Sequence, residues 1–327
     1  MAYSPQVLTR ARECLAQQKA DHESKYNHNL TAAYAQVPRL REIDLELRRT
    51  MALAAQAAFL KGGDAEAAMV QAREKNLSLQ AERAALIEKN FAPGYLDETP
   101  LCPHCGGNGY IGSTMCTCLQ SLCRQEQRKE LARLTSGSQR FDAFRLDYYP
   151  APVDKALGVS PRKVMERNLE ICKRYAKEFS GQGENLLFVG GTGLGKTFLS
   201  ACIAGEVAAK GYAIAYESAP QLFEKLERNR FSPDEQTRQE LAAITGSDLL
   251  IIDDLGTELT NNFTVAALYS LLNDRLLAGK SMLLSTNLNA DEIAQRYSPQ
   301  IASRLQGCFK GLVFVGNDIR VLKNRGV

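Results

Sequence analysis

The chain has 327 residues, 45% of them hydrophobic and 24% charged, with a formal net charge of +3. This balance fits a soluble globular protein of about two domains and excludes a disordered or membrane-spanning chain, since nowhere do about 18 apolar residues run together. So mild a charge permits nucleic-acid binding on a local patch without announcing it, and "MAYSPQVLTRARECLAQQK" lacks the apolar core of a signal peptide, which predicts a cytoplasmic protein with no membrane partner.

Residues 5–91 read as helix. Leu40, Ile43, Leu47, Met51, Ala54 and Ala58 recur at the spacing that lines one helix face, with Arg41, Glu42, Glu46 and Arg49 opposite. "KGGD" at 61–64 interrupts the pattern, its glycine suited to a C-cap and Asp64 to the next N-cap, and a second helix follows through Val70, Leu77, Ala84 and Ile87. The expectation is an antiparallel helical hairpin in an all-α arm over 1–95, with few apolar positions per turn and no catalytic chemistry, which suits a partner-binding role.

The breaker-rich "FAPGYLDETP" leads into "CPHCGGNGYIGSTMCTC", which holds four of the nine cysteines. A reducing compartment disfavours a structural disulfide. In C-x-x-C spacing, Cys102 and Cys105 turn two thiolates toward one ion from a knuckle relieved by Gly106, Gly107 and Gly109, and Cys116 and Cys118 supply a second pair after an excursion suited to a hairpin. The set predicts a zinc-binding module over 96–125, too small to fold without such a staple. Cys123 and His104 are alternatives to Cys118 as fourth ligand, and a redox dithiol at Cys102 and Cys105 or iron–sulfur ligation are the alternative chemistries. A polar helix from about Leu119 to Leu134 and the stretch "TSGSQRFDAFRLDYYPAP" read as a way out of the module, with a linker over 126–159.

Over 160–327 short apolar runs, "NLLFVG", "YAIAYES", "DLLIIDD", "SMLLSTN" and "GLVFVG", alternate with helical stretches, the pattern of a parallel α/β sheet. Directly after the first run stands "GGTGLGKT", Gly190, Gly191, Thr192, Gly193, Leu194, Gly195, Lys196 and Thr197, which fits G-x-x-x-x-G-K-[ST] and opens a helical stretch. The glycines let backbone N–H groups curl round phosphates, Lys196 reaches the β and γ oxygens, and Thr197 is placed to hold Mg2+. "LLIIDD" ends an apolar strand on Asp253, suited to hold Mg2+ through water, and Asp254, suited to orient or activate an attacking water. Asn287, after the next run, is suited to the γ-phosphate or that water.

"QLFEKLERNRFSPDEQTR" interleaves Phe223 and Phe231 with Lys225, Arg228, Arg230 and Arg238, a mixture suited to single-stranded DNA. An amphipathic helix that buries Leu222, Phe223 and Leu226 is the competing reading.

These motifs in this order, with "FDAFRLDYYP" ahead of the glycine loop and "QIASRLQG" behind, resemble the AAA+ ATPases, and more closely the DnaC/DnaI-type replicative helicase loaders and their IstB-type transposition-helper relatives. The cysteine module resembles that of DnaI-like members. The resemblance implies a Walker A loop at 190–197, a Walker B pair at Asp253 and Asp254, sensor 1 at Asn287, an arginine finger at Arg304 that reaches the ATP of a neighbouring subunit, and a terminal sensor at Arg320 that contacts nucleotide. A planar, permanently charged donor supplied in trans would couple hydrolysis to self-association.

Two departures stand out. Asp254 occupies the place where most AAA+ proteins have glutamate, and only 23 residues follow Arg304, too few for the usual helical lid. The implied protein is an ATPase with ATP, Mg2+ and Zn2+, slow in hydrolysis and regulated by partner or DNA, that loads a hexameric replicative DNA helicase onto single-stranded DNA. The alternatives are a transposition helper acting on target DNA and a nucleotide-gated adaptor. No N-K-x-D guanine-reading motif occurs, so ATP is the expected nucleotide.

Overall fold

A computed structural model describes residues 3–57, 63–134, 139–155 and 158–324. In chain order the elements are α1 (Pro5–Gln36), α2 (Pro38–Ala57), α3 (Gly63–Asn90), the hairpin strands β1 (Tyr110–Ile111) and β2 (Thr114–Met115), α4 (Thr117–Leu134) and α5 (Pro161–Glu178). There follow β3 (Asn185–Val189), α6 (Lys196–Ala209), β4 (Ile214–Ser218), α7 (Ala219–Phe231), α8 (Glu235–Gly246), β5 (Leu249–Leu255) and α9 (Asn262–Leu277). The last are β6 (Ser281–Thr286), α10 (Ala290–Arg296), α11 (Pro299–Cys308), β7 (Phe309–Val313) and α12 (Ile319–Asn324). The chain divides into two compact units, Cys14–Cys116 and a second made of Met1–Glu13 with Thr117–Val327. Among the described residues no helix is long and apolar enough to cross a membrane.

In the Cys14–Cys116 unit, α2 and α3 run antiparallel. Arg39 and Asp44, early on α2, bond Glu82 and Arg83, whereas Thr50, farther along α2, bonds Asn76, nearer the start of α3. Leu40 and Ile43 are buried on α2 as the spacing predicts. The stripe expected on α3 is not the buried one: Val70 and Leu77 are exposed, whereas Leu79 is buried and Asn76 and Arg83 face α2. Polar pairing across the hairpin, with Asp44 also accepting from Tyr34, overrides the apolar periodicity. Ala58 and the Lys61–Gly62 part of the expected break lie outside the described residues.

The other unit is a five-stranded parallel sheet, β4-β5-β6-β3-β7, with helices on both faces. Period-2 alternation sorts each strand: Leu186 and Phe188 point to the layer holding Met165, Leu169, Cys172, Leu199 and Ile203, and Leu187 points to the layer holding Leu222, Leu268, Leu272 and Ile301. The inner strands β3, β5 and β6 are buried on both faces and read as near-continuous apolar runs, whereas the edge strands β4 and β7 are only partly buried. Described residues of the 126–159 stretch, expected as a linker, pack against the sheet layer. Leu131 and Tyr149 lie in the first core layer, with Phe141, Phe144, Leu146 and Tyr148 against it.

Arg275 on α9 is buried, and its guanidinium donates to the carbonyls of Ile244, Thr245, Ser247 and Ser281, tying the C-terminus of α8 to the start of β6. Burial holds its pKa down at about 10. Arg275→Ala strands these acceptors at about 1–3 kcal/mol each, and Arg275→Lys does not rescue because a point donor cannot fork. A lower urea midpoint for both variants checks this.

Candidate functional site

The turn from β3 into α6 carries the predicted loop. Gly190, Gly193 and Gly195 have φ of 155°, 72° and 91°, and Gly195 is the N-cap of α6. Side chains would not fit at Gly193 and Gly195: a Cβ on Gly193 runs into the Asp318 carboxylate, and one on Gly195 lies 2.9 Å from the Tyr149 hydroxyl. Tyr149 itself is buried and donates to the Leu194 carbonyl at 2.9 Å, while the Ile319 amide donates to the Gly193 carbonyl at 3.0 Å. The loop is thus held by the segment before α5 and by the chain after β7.

Lys196 is buried, with Nζ 2.7 Å from the carbonyl oxygens of both Gly190 and Gly191. Desolvation lowers its pKa, and Asp254 and Asp253 oppose that shift. A cavity of about 470 Å3 opens beside it. Thr192, Gly193, Leu194, Gly195, Thr197, Asp254, Asn287 and Arg320 line its polar side, and Phe144, Tyr148, Phe198 and Ile319 its apolar side. Backbone amides at a helix N-terminus beside an aromatic pocket suit a nucleotide, and the Thr197 hydroxyl is a hard oxygen donor of the kind Mg2+ takes; Asp254 lines the cavity, whereas Asp253 does not.

The two acids differ. Asp253 is buried; Tyr216 on β4 donates to one of its oxygens at 3.1 Å and Ser285 on β6 to the other. Asp254 sits at φ 54°, where the β5–β6 register slips between Ile252 and Leu255, and its exposed side chain faces the cavity. Partial desolvation in the crevice and then the neighbouring Asp253 raise its pKa, against Lys196 and Arg320. β6 lies between β5 and β3, so Asn287, just past its end, reaches the same crevice at the carboxyl ends of the strands. Gly256 follows, its amide bound by Glu258, which also accepts from Tyr297.

Arg304 on α11 does not line this cavity. Its guanidinium donates to Asn273 at 2.9 Å and to the Tyr269 hydroxyl at 2.7 Å, both on α9. In the segment read for DNA contact, Phe223 is buried, and Lys225, Arg228 and Arg238 pair with Glu217, Glu224 and Glu235. Arg228 and Arg238 stay exposed in these pairs, and Phe231 is 71% exposed, with the Arg230 guanidinium over its ring and that of Phe263.

The sulfurs of Cys102, Cys105, Cys116 and Cys118 lie within 4.8 Å of one another, and those of Cys102 and Cys116 are 3.8 Å apart. Four sulfurs about 2.3 Å from a tetrahedral ion stand about 3.8 Å apart, so the cluster could hold a metal. Gly106, Gly107 and Gly109 all have positive φ, and the Gly109 amide donates to the Cys105 sulfur at 3.2 Å. His104 is exposed and Cys123 is buried; neither belongs to the cluster. The excursion between the pairs is the β1–β2 hairpin, closed by Gly112 at φ 59°.

Sequence reasoning missed Tyr149, Tyr216, Ser285 and the aromatic wall. Only "FDAFRLDYYP" carried a usable signal, an aromatic-rich run ahead of a glycine loop.

A glycine loop at a helix N-terminus, an acidic strand end and an asparagine just past the end of the intervening strand define a P-loop domain of the AAA+ class. Residues 161–303 match the family described as IstB-like ATP binding protein. The replicative helicase loader DnaC of Escherichia coli strain K12 is 23% identical over 159 residues, 48% of this chain and 60% of the relative. The replicative helicase loader DnaI of Bacillus subtilis strain 168 is 27% identical over 120 residues, 36% and 38% of the two chains. A crystal structure of the DnaC helicase loader, 20% identical, aligns with a TM-score of 0.45 over 54% of this chain and 97% of that one. Residues 161–303 thus carry an IstB-like ATP-binding domain of the AAA+ class, similar in sequence to the DnaC and DnaI loaders. The chain spans about 60% of the length of the DnaC relative.

Gly195→Ala forces a Cβ into left-handed backbone and against Tyr149. The expected outcome is at least about tenfold weaker ATP binding with a melting temperature near that of the parent, measured by titration with a fluorescent nucleotide.

Proposed function

We propose that the chain is an ATP-switched loader that delivers a replicative DNA helicase to single-stranded DNA. The observation that carries the reading is a complete phosphate-binding loop, on a domain whose relatives are named helicase loaders, in a chain that also packs a separate helical unit. The helical arm over 1–95, most of which lies in that unit, supplies the helicase contact; the 160–327 region supplies the switch.

In this reading the loop amides and Lys196 hold the phosphates, and the aromatic wall of Phe144, Tyr148 and Phe198 holds the base. Thr197 and Asp253 would hold Mg2+, which when bound neutralises charge on the β and γ oxygens. Asp254 orients the attacking water and takes up its proton, and Asn287 donates to the γ-phosphate or to that water. Arg320 adds charge from the cavity's C-terminal wall. Arg304, held in place by Asn273 and Tyr269, reaches the site of a neighbouring copy, so that hydrolysis depends on self-association. A side chain one methylene shorter than the usual glutamate keeps turnover slow. Arg230 and Phe231 offer a cation and a ring face to single-stranded DNA.

The chain fits a cytoplasmic replication factor. The transposition-helper reading is favoured by the IstB-like description of the matched family and keeps the same site chemistry with a transposase as partner. Mass measurement of the purified chain with its cognate replicative helicase, with and without ATP, decides. A nucleotide-dependent complex is expected, and no complex under either condition contradicts the loader reading.

The four-cysteine cluster is a structural zinc site that follows the arm in the chain and precedes the ATPase. Elemental analysis is expected to find one zinc per chain, lost in Cys102→Ser while ATP binding persists; absence of zinc from the parent chain contradicts the assignment.

A further inference from the structure

Asp253 ends up between two hydroxyls from the strands on either side of it. Tyr216 Oη, from β4, lies 3.1 Å from Oδ2, and Ser285 Oγ, from β6, bonds Oδ1. A carboxylate has about four lone-pair sites. Two are taken by these donors, which fixes the plane of the group and leaves the others for a cation's water shell. Ser285 does more than satisfy a buried acid. Its Oγ also accepts from the Asp254 amide at 2.9 Å, so its single proton is committed to Asp253. That amide belongs to the residue at φ 54° where the strand register slips, so one hydroxyl both aims Asp253 and pins the turn that directs Asp254 into the cavity. Ser285 is fully buried and stands two residues before Asn287 in the chain.

We infer that Tyr216 and Ser285 are positioning residues for the metal-dependent part of the ATP site, Tyr216 acting through Asp253 and Ser285 through both acids. The inference rests on the ATPase reading given above. It differs from a packing role in what it predicts, because Tyr216→Phe keeps the ring in the core layer and removes only the donor.

The test uses the full chain and its Tyr216→Phe, Ser285→Ala and Ser285→Thr variants. A fluorescent ADP is titrated in Mg2+ and in EDTA, ATP turnover is followed against Mg2+ concentration, and melting temperature is recorded. In Tyr216→Phe and Ser285→Ala, affinity in EDTA stays within about twofold of the parent, while the gain in affinity on adding Mg2+ falls about tenfold, the loss expected for one charge-assisted hydrogen bond. At saturating Mg2+, Ser285→Ala lowers kcat more than Tyr216→Phe, with KM for ATP little changed, and Ser285→Thr restores both. An unchanged Mg2+ requirement in Tyr216→Phe overturns the inference alone, even if Ser285→Ala fails to fold. Equal losses of affinity in Mg2+ and EDTA, with a fall in melting temperature, also overturn it in favour of packing. A parent chain that binds no nucleotide overturns both this inference and the ATPase reading beneath it.

Discussion

The steric demand of one turn organises the ATPase unit. Between Val189 and Lys196 the backbone must reverse from strand to helix while presenting its amides outward, and it does so through positive φ at Gly190, Gly193 and Gly195. The space beyond those glycines is taken: a Cβ on Gly190 would strike the Phe314 carbonyl, one on Gly193 the Asp318 carboxylate and one on Gly195 the Tyr149 hydroxyl. Two segments distant in sequence therefore brace a loop whose Leu194 is itself buried in the first core layer. Their side chains, the aromatic Phe144 and Tyr148 on one side and the aliphatic Ile319 with cationic Arg320 and Lys323 on the other, become the walls of the cavity.

The acidic side is built the same way. Inserting β6 between β3 and β5 brings Asn287 and Asp254 to one crevice and puts Ser285 beside the register slip in β5. Burying Asp253 is tolerable only with donors supplied, and the flanking strands supply them. The hydroxyls that satisfy Asp253 also fix its orientation, the kind of preorganisation that electrostatic catalysis depends on.

What the sequence made legible were features with short-range causes. The parallel strands follow from continuous apolar runs, the loop from glycine spacing, and the cysteine knuckle from C-x-x-C with glycines behind it. Features with long-range causes were not legible. Tyr216 is an ordinary strand tyrosine until β5 lies beside it, and Val70 and Leu77 look like a core stripe until Asp44 and Thr50 turn Arg83 and Asn76 inward instead. The 126–159 stretch read as linker because its packing partners, the first core layer and the glycine loop, come later in the chain. Sequence also offered Lys225, Arg228 and Arg238 as a basic patch, and the glutamates interleaved with them became their partners.

A helical unit, a cysteine cluster at its chain exit and a braced nucleotide loop make a coherent switch only if the loop takes ATP. Calorimetric titration of ATP with Mg2+ into the purified chain is the most direct measurement of that. The account predicts one ATP bound per chain and loss of that binding in Lys196→Ala, since Lys196 is the only lysine on the loop side of the cavity among the described residues. No binding by the parent chain, or binding left intact in Lys196→Ala, would contradict it.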